Sequence, residues 1–170
     1  MFKNIKRTII EKLGGSADRI YPVSYQAVDI VVIRKETNEI LLGRKWANRK
    51  ARIPKAELRF LGGFVDPSDP SLEFAARREL REEAGVNLEV SDPVYIGSFR
   101  VDDPRYKDKT DKIMSAVFLT QFVYGFAKGG DDIAETVWAK IPSFKANYHI
   151  LSFAPEHKPL VEMLIEKKII

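Results

Sequence analysis

Apolar positions along the chain fall into short blocks whose period changes several times. Met1–Leu13 spaces Phe2, Ile5, Ile9, Ile10 and Leu13 between Lys3, Lys6, Arg7 and Lys12, the pattern of an amphipathic helix, and Gly14-Gly15 supplies a C-terminal stop. Ala27–Arg34 is a β-branched run (Val28, Ile30, Val31, Val32, Ile33) and predicts a buried strand. Glu36-Thr37-Asn38 turns the chain, and Ile40–Arg44 returns as the partner of a hairpin. Trp46–Glu57 is polar and basic and reads as a loop; Leu58–Val65 is short and apolar around Gly62-Gly63. Ser71–Ala84 predicts a helix. Val94–Val101 and Ile113–Phe122 predict strands on either side of a charged loop, Asp102–Lys112. Gly129–Asp132 is a further loop, Thr136–Ile141 a short strand and Glu156–Lys168 a last helix. Strands interrupted by helices at separated places imply a mixed sheet covered on both faces. No repeat, low-complexity stretch or linker divides the 170 residues, so one domain is expected, with residues 1–20 as a helical extension.

The segment Gly62–Val86 carries chemistry. On a helix turning about 100° per residue, Leu72, Ala75 and Ala76 share a sector that Glu79, Glu82 and Glu83 continue one to two turns later. Arg77, Arg78 and Arg81 project from the other side. Such an arrangement is electrostatically poor by itself. Glu79 and Glu83 are like charges at i, i+4, a cost of a few tenths of a kcal/mol. Glu82 and Glu83 stand beside the helix C-terminus at Gly85, where the macrodipole disfavours anions by about 0.3–1 kcal/mol each. A divalent cation removes these penalties, and hard ions such as Mg²⁺ take oxygen ligands. The bland alternative is a solvated charged helix held by pairs such as Glu73–Arg77 and Arg78–Glu82. It does not explain why glutamates continue the apolar sector.

Composition narrows the chemistry. With no cysteine there is no disulfide, thiolate metal site or cysteine nucleophile, which fits a reducing cytoplasm. His149 and His157 are isolated and form no metal pattern. A net charge of +4 suits an anionic substrate and would equally suit weak nucleic-acid binding. No apolar run approaches the roughly 20 residues a membrane span needs. The N-terminal segment has neither the unbroken apolar core nor the cleavage site of a signal peptide.

The same residues resemble the Nudix box, whose pattern is glycine, five residues, glutamate, seven residues, then Arg-Glu-apolar-any-Glu-Glu-any-Gly-apolar. Arg78–Val86 matches the second half at every specified position, and Gly63 matches the opening glycine. Between Gly63 and Arg78 there is one residue more than the pattern allows, and Asp69 stands where a glutamate is expected. The resemblance implies an α/β fold, a Nudix-like α/β/α sandwich with a mixed β-sheet between helices. It implies that Glu79, Glu82 and Glu83, joined by the Gly63 carbonyl, bind Mg²⁺ or Mn²⁺, and that Arg78 holds a carboxylate in place. The implied reaction is metal-assisted attack of water on a diphosphate, with a carboxylate as base. Glu82 is one candidate base. Glu135, in the acid-rich Gly129–Glu135 loop, is another, as base or auxiliary ligand; an ordinary surface role for it is left open.

Substrate identity rests outside the box. Phe99–Arg105 and Gly62–Pro67 resemble the ADP-ribose pyrophosphatases of the type fused to nicotinamide-nucleotide adenylyltransferases. Arg100 and Arg105, with Arg44 and Arg52 as further candidates, can clamp phosphates bidentately. Asp102 or Asp103 can accept from ribose hydroxyls, and Phe99 or Tyr106 can stack on adenine, unless either is core. The expected reaction is cleavage of ADP-ribose to AMP and ribose 5-phosphate by a cytoplasmic enzyme whose partner is a small nucleotide; a homodimer is left open. Two rivals are weighed. A noncatalytic ADP-ribose-binding regulator would degrade the box, which is intact here in its second half. A pyrophosphohydrolase acting on RNA 5′ ends would carry an extended platform of interleaved aromatic and basic residues, which is missing. Dinucleoside polyphosphates remain among the other small substrates.

Overall fold

A computed structural model describes residues 24–102 and 112–170. The proposed N-terminal helix, Asp103, Arg105 and Tyr106 lie outside the described residues.

The chain runs β1 (Ser24–Arg34), β2 (Glu39–Asn48), β3 (Ile53–Arg59), β4 (Leu61–Phe64), α1 (Leu72–Ala84), β5 (Leu88–Val90), β6 (Val94–Val101), β7 (Lys112–Gly125), β8 (Ile133–Lys140), α2 (Ile141–Asn147), a 3₁₀ turn (Pro155–His157) and α3 (Lys158–Glu166). The sheet is mixed. β1 lies parallel to β7 from Ser24↔Lys112 to Ile33↔Gln121. It pairs antiparallel with β2 at its C-terminal end and with β4 over Ala27–Ile30. β2 is flanked by β3 and β8, and β7 by β5 and β6.

Buried on both faces, β1 reads as a continuous apolar run rather than an alternating one. Val28, Ile30 and Val32 point into one core with Ala75, Ala76, Leu80 and Ala84 of α1. Val31 and Ile33 point into the other, with Ile141 and Phe144 of α2 and Leu160, Val161 and Leu164 of α3. The result is the expected α/β/α sandwich with a mixed sheet.

Two expectations are corrected. Trp46–Glu57 is not a loop: β2 runs on to Asn48, and β3 returns after a turn in which Arg52 adopts φ 52°. Most of β3 is exposed, so it lacks an apolar signature; backbone pairing with β2 defines it. The strand placed at Thr136–Ile141 begins at Ile133, and Ile141 opens α2. Among the described residues no helix is long and apolar enough to cross a membrane.

Candidate active site

The helix carrying the glutamates begins at Ser71, whose hydroxyl accepts from the Phe74 N–H, and ends at Gly85, φ 85°. Its C-terminal carbonyls are met by the loop before β8: Lys128 N–H donates to Ala84 O, and Gly130 N–H to Glu83 O at 3.0 Å. A Cβ at Gly130 would lie 2.4 Å from the Glu82 carbonyl oxygen, so only glycine lets the loop come this close. That approach puts Asp131 and Asp132 beside the glutamates. From the other side, β4 brings Gly62 and Gly63. Gly62, at φ 146°, has its would-be Cβ 2.1 Å from Val28 O. A Cβ on Gly63 would sit 2.7 Å from the Glu79 carboxylate.

These elements wall a cleft of about 730 Å³. Glu79, Glu83, Asp131, Asp132 and Lys45 line it, together with Asp29, Arg59, Glu156 and His157. Glu83 is only 3% exposed and accepts from Gly62 N–H at 2.6 Å. Burial raises its pKa well above the usual carboxylate range, and neighbouring Asp132 adds to the rise. Burial also raises Glu79, against the pull of Arg78. Asp132 bonds Lys45 Nζ through Oδ2 at 2.5 Å, while its buried Oδ1 meets no hydrogen-bond donor among the described residues.

Glu82 is placed differently from the expectation: its side chain is 47% exposed, off the buried sector that holds Glu83. Adjacent residues on a helix point about 100° apart, and here the buried face takes Glu83 with Ala84 and leaves Glu82 at its edge. Arg78 does not project away either. Its guanidinium grips both Asp69 oxygens (3.0 and 2.9 Å), Phe64 O, Glu79 at 2.8 Å and Glu82 at 3.0 Å. Asp69, with a side chain only 1% exposed, is thereby given a role: it anchors Arg78, which holds its carboxyl below the usual range.

Several substrate candidates do not reach the cleft. Phe99 is buried in the core on the α2/α3 side, so it has no free face for a base. Arg44 and Glu135 bond each other at 2.8 Å outside the cleft lining, because their Cα atoms are paired across β2 and β8. The acids of that loop that line the cleft are Asp131 and Asp132. Arg52 is exposed at the β2–β3 turn, and Arg100 is exposed on β6 with Asp102 at 3.3 Å. Sequence reasoning passed over Lys45, Asp29, Arg59 and Glu156. Only Asp29 carried a signal, as a lone charge inside the β1 apolar run.

The donor set suits a hard divalent cation: desolvated carboxylate oxygens with raised pKa, one orphaned and buried, around a cleft. Among the described residues, no three such groups stand at ligating distance from one point. Arg78 and Lys45 take up carboxylate oxygens of Glu79, Glu82 and Asp132 instead.

Fold and cleft together define a class: an α/β/α sandwich in which a strand carrying Gly62-Gly63 and a helix carrying Glu79, Glu82 and Glu83 wall a polar cleft. Residues 24–164 match the family model described as the NUDIX domain, and the chain belongs to the Nudix family of hydrolases, which depend on divalent metal ions. No curated protein matches it. Among solved structures, the Escherichia coli ORF135 protein is 23% identical with TM-score 0.64, over 86% of this chain and 92% of that one. A Francisella tularensis bifunctional NMN adenylyltransferase/ADP ribose pyrophosphatase, solved with AMP and a Mn ion, is 19% identical with TM-score 0.63. The match covers 97% of this chain but 47% of that one, so the chain spans about half of the bifunctional enzyme. The NUDIX domain of Shewanella oneidensis NrtR, solved with ADP ribose, is 17% identical with TM-score 0.63, over 92% of this chain and 96% of that one.

Proposed function

We propose that this protein hydrolyses the diphosphate of a nucleoside diphosphate derivative, ADP-ribose to AMP and ribose 5-phosphate being the first candidate. The observation that carries the reading is the double character of the cleft. The desolvated carboxylates of Glu79 and Glu83 share its lining with Lys45, Arg59 and His157, so carboxylates fit to hold a cation stand in one cleft with groups that can meet a diphosphate and a polar nucleoside. Structures of proteins similar in fold hold AMP and ADP ribose, which favours the adenosine series.

Glu79 and Glu83, with Gly63 beside them, are the residues to hold Mg²⁺ or Mn²⁺, and Asp132 is a further oxygen donor. When bound, the cation neutralises diphosphate charge and acidifies water. The protein's own groups do the rest. Asp69 fixes Arg78, and Arg78 fixes Glu79 and Glu82. Glu82, the most exposed of the three box glutamates and held in place by Arg78, is the residue to take a proton from water. Lys45 places a positive charge beside Asp132 in the cleft, where a phosphate oxygen can meet it. A hydrolysis screen over nucleoside diphosphate derivatives and nucleoside triphosphates with Mg²⁺ and Mn²⁺, products identified, tests the reading. Dominant pyrophosphate release from a triphosphate refutes the ADP-ribose assignment.

A further inference from the structure

The 3₁₀ turn Pro155–His157 sets a buried imidazole against β3, its ring nearly parallel to Phe60 (5° between planes). The buried Phe60 backbone N–H donates to His157 Nδ1 at 3.1 Å. An unserved buried N–H is costly, so Nδ1 must keep its lone pair. The ring is neutral, because burial and the charges of Arg59 and Lys45 disfavour protonation. A neutral imidazole with a lone pair on Nδ1 carries its proton on Nε2.

That assignment leaves a mismatch. Arg59 Nη2, which donates to Glu156 at 2.8 Å, lies 3.3 Å from His157 Nε2. Both atoms are then donors, and two donors cannot serve each other. Both residues line the cleft, so one acceptor atom of a bound molecule can take both hydrogens.

We propose that Arg59 and His157 form a two-donor subsite that takes an acceptor atom on the edge of a nucleobase. Local charge argues for a neutral group. Glu156 pairs with Arg59, Glu57 with Lys55 and Asp132 with Lys45, and Asp29 Oδ1 lies 3.7 Å from His157 Nδ1, so the cations lining the cleft are already balanced and offer no surplus charge to a phosphate here. A base edge offers a ring nitrogen or carbonyl without charge. The proposal rests on the substrate being a nucleoside diphosphate derivative and adds the group that reads its base.

The test uses the whole protein with AMP and, separately, ribose 5-phosphate, which shares the sugar phosphate and lacks the base. Imidazole nitrogen NMR of the free protein should show His157 neutral with its proton on Nε2. Saturating AMP should move that proton downfield, and ribose 5-phosphate should not. Arg59→Met should weaken AMP binding by calorimetry about 10- to 100-fold, the effect of losing a charged donor, and leave ribose 5-phosphate binding unchanged. Its KM for ADP-ribose should rise by a similar factor with kcat nearly constant, a split that merely structural damage would not produce. If Arg59→Met does not fold, Arg59→Lys, which keeps the charge and loses the fork, should weaken AMP at least fivefold. A proton on Nδ1, no response to AMP, an equal response to ribose 5-phosphate, or unchanged AMP affinity in the variant that folds overturns the subsite. A His157 response to AMP in a protein that cleaves no ADP-ribose overturns the proposed reaction and leaves the subsite standing.

Discussion

Replacing Asp29 by asparagine should stabilise the metal-free protein at neutral pH. Asp29 is buried among β1, β4 and β7, and burial raises its pKa from 3.8 to about 6 despite a 2.5 Å hydrogen bond from Ser115 Oγ. In the unfolded chain the group ionises above pH 3.8; in the folded protein it holds its proton to about pH 6. Between these values the folded state binds more protons, so this group's contribution to stability falls as pH rises. At roughly 1.4 kcal/mol per unit, the ionised Asp29 costs the fold about 3 kcal/mol above pH 6. Asparagine keeps the shape and can still accept from Ser115, but its amide needs a partner of its own, an offset of about 1 kcal/mol. The expected net gain is about 2 kcal/mol at pH 8, roughly 4–8 °C in Tm. Urea unfolding of wild type and Asp29→Asn in EDTA from pH 4 to pH 8 reads it. The stability difference should grow by about 2.5 kcal/mol in favour of the variant across that range, with equal m-values. A difference that stays flat with pH, or a variant less stable at pH 8, refutes the reasoning. Comparison with wild type at each pH is essential. His157, whose pKa is lowered by burial, acts in the opposite direction and costs stability as pH falls below about 6.5.

Other outcomes are open to measurement. Glu83→Gln should lose most metal-dependent hydrolysis while gaining stability in EDTA at pH 7, because glutamine can still accept from Gly62 without carrying a buried charge; near-wild-type turnover at saturating metal would reject the metal assignment. Glu82→Gln should fold as wild type and lower kcat about 10²-fold or more, read by steady-state kinetics. Asp132→Asn should cost more activity than Glu135→Gln, since Asp132 lines the cleft and Glu135 is bonded to Arg44 outside it; the reverse order of kcat would return the auxiliary role to Glu135. Arg78→Met should lower stability in urea unfolding, since it removes the guanidinium that binds both Asp69 oxygens and the Phe64 carbonyl; an unchanged midpoint would reject that anchoring role.

Period and composition along the chain already settled much of this protein. The β-branched run of β1, the helix from Ser71 to Gly85 and the glutamates at its end are local features: propensity, capping and spacing act between near neighbours, so they are written in the order of residues. The family was legible there too, because the half-box from Arg78 to Val86 is contiguous. Tertiary structure decided the rest, because it depends on which distant segments touch. Edge strand β3 is defined by pairing with β2, not by an apolar pattern. Asp69 became an anchor only when the loop before α1 folded back onto Arg78. Phe99 and Arg100 are neighbours in sequence, yet strand alternation sends one into the core and the other to the surface. Arg59 lies about a hundred residues from Glu156 and His157 and meets them only because the 3₁₀ turn docks on β3. No spacing rule could have paired them, since burial and hydrogen bonding between remote segments, not sequence order, determine which polar groups share a cleft.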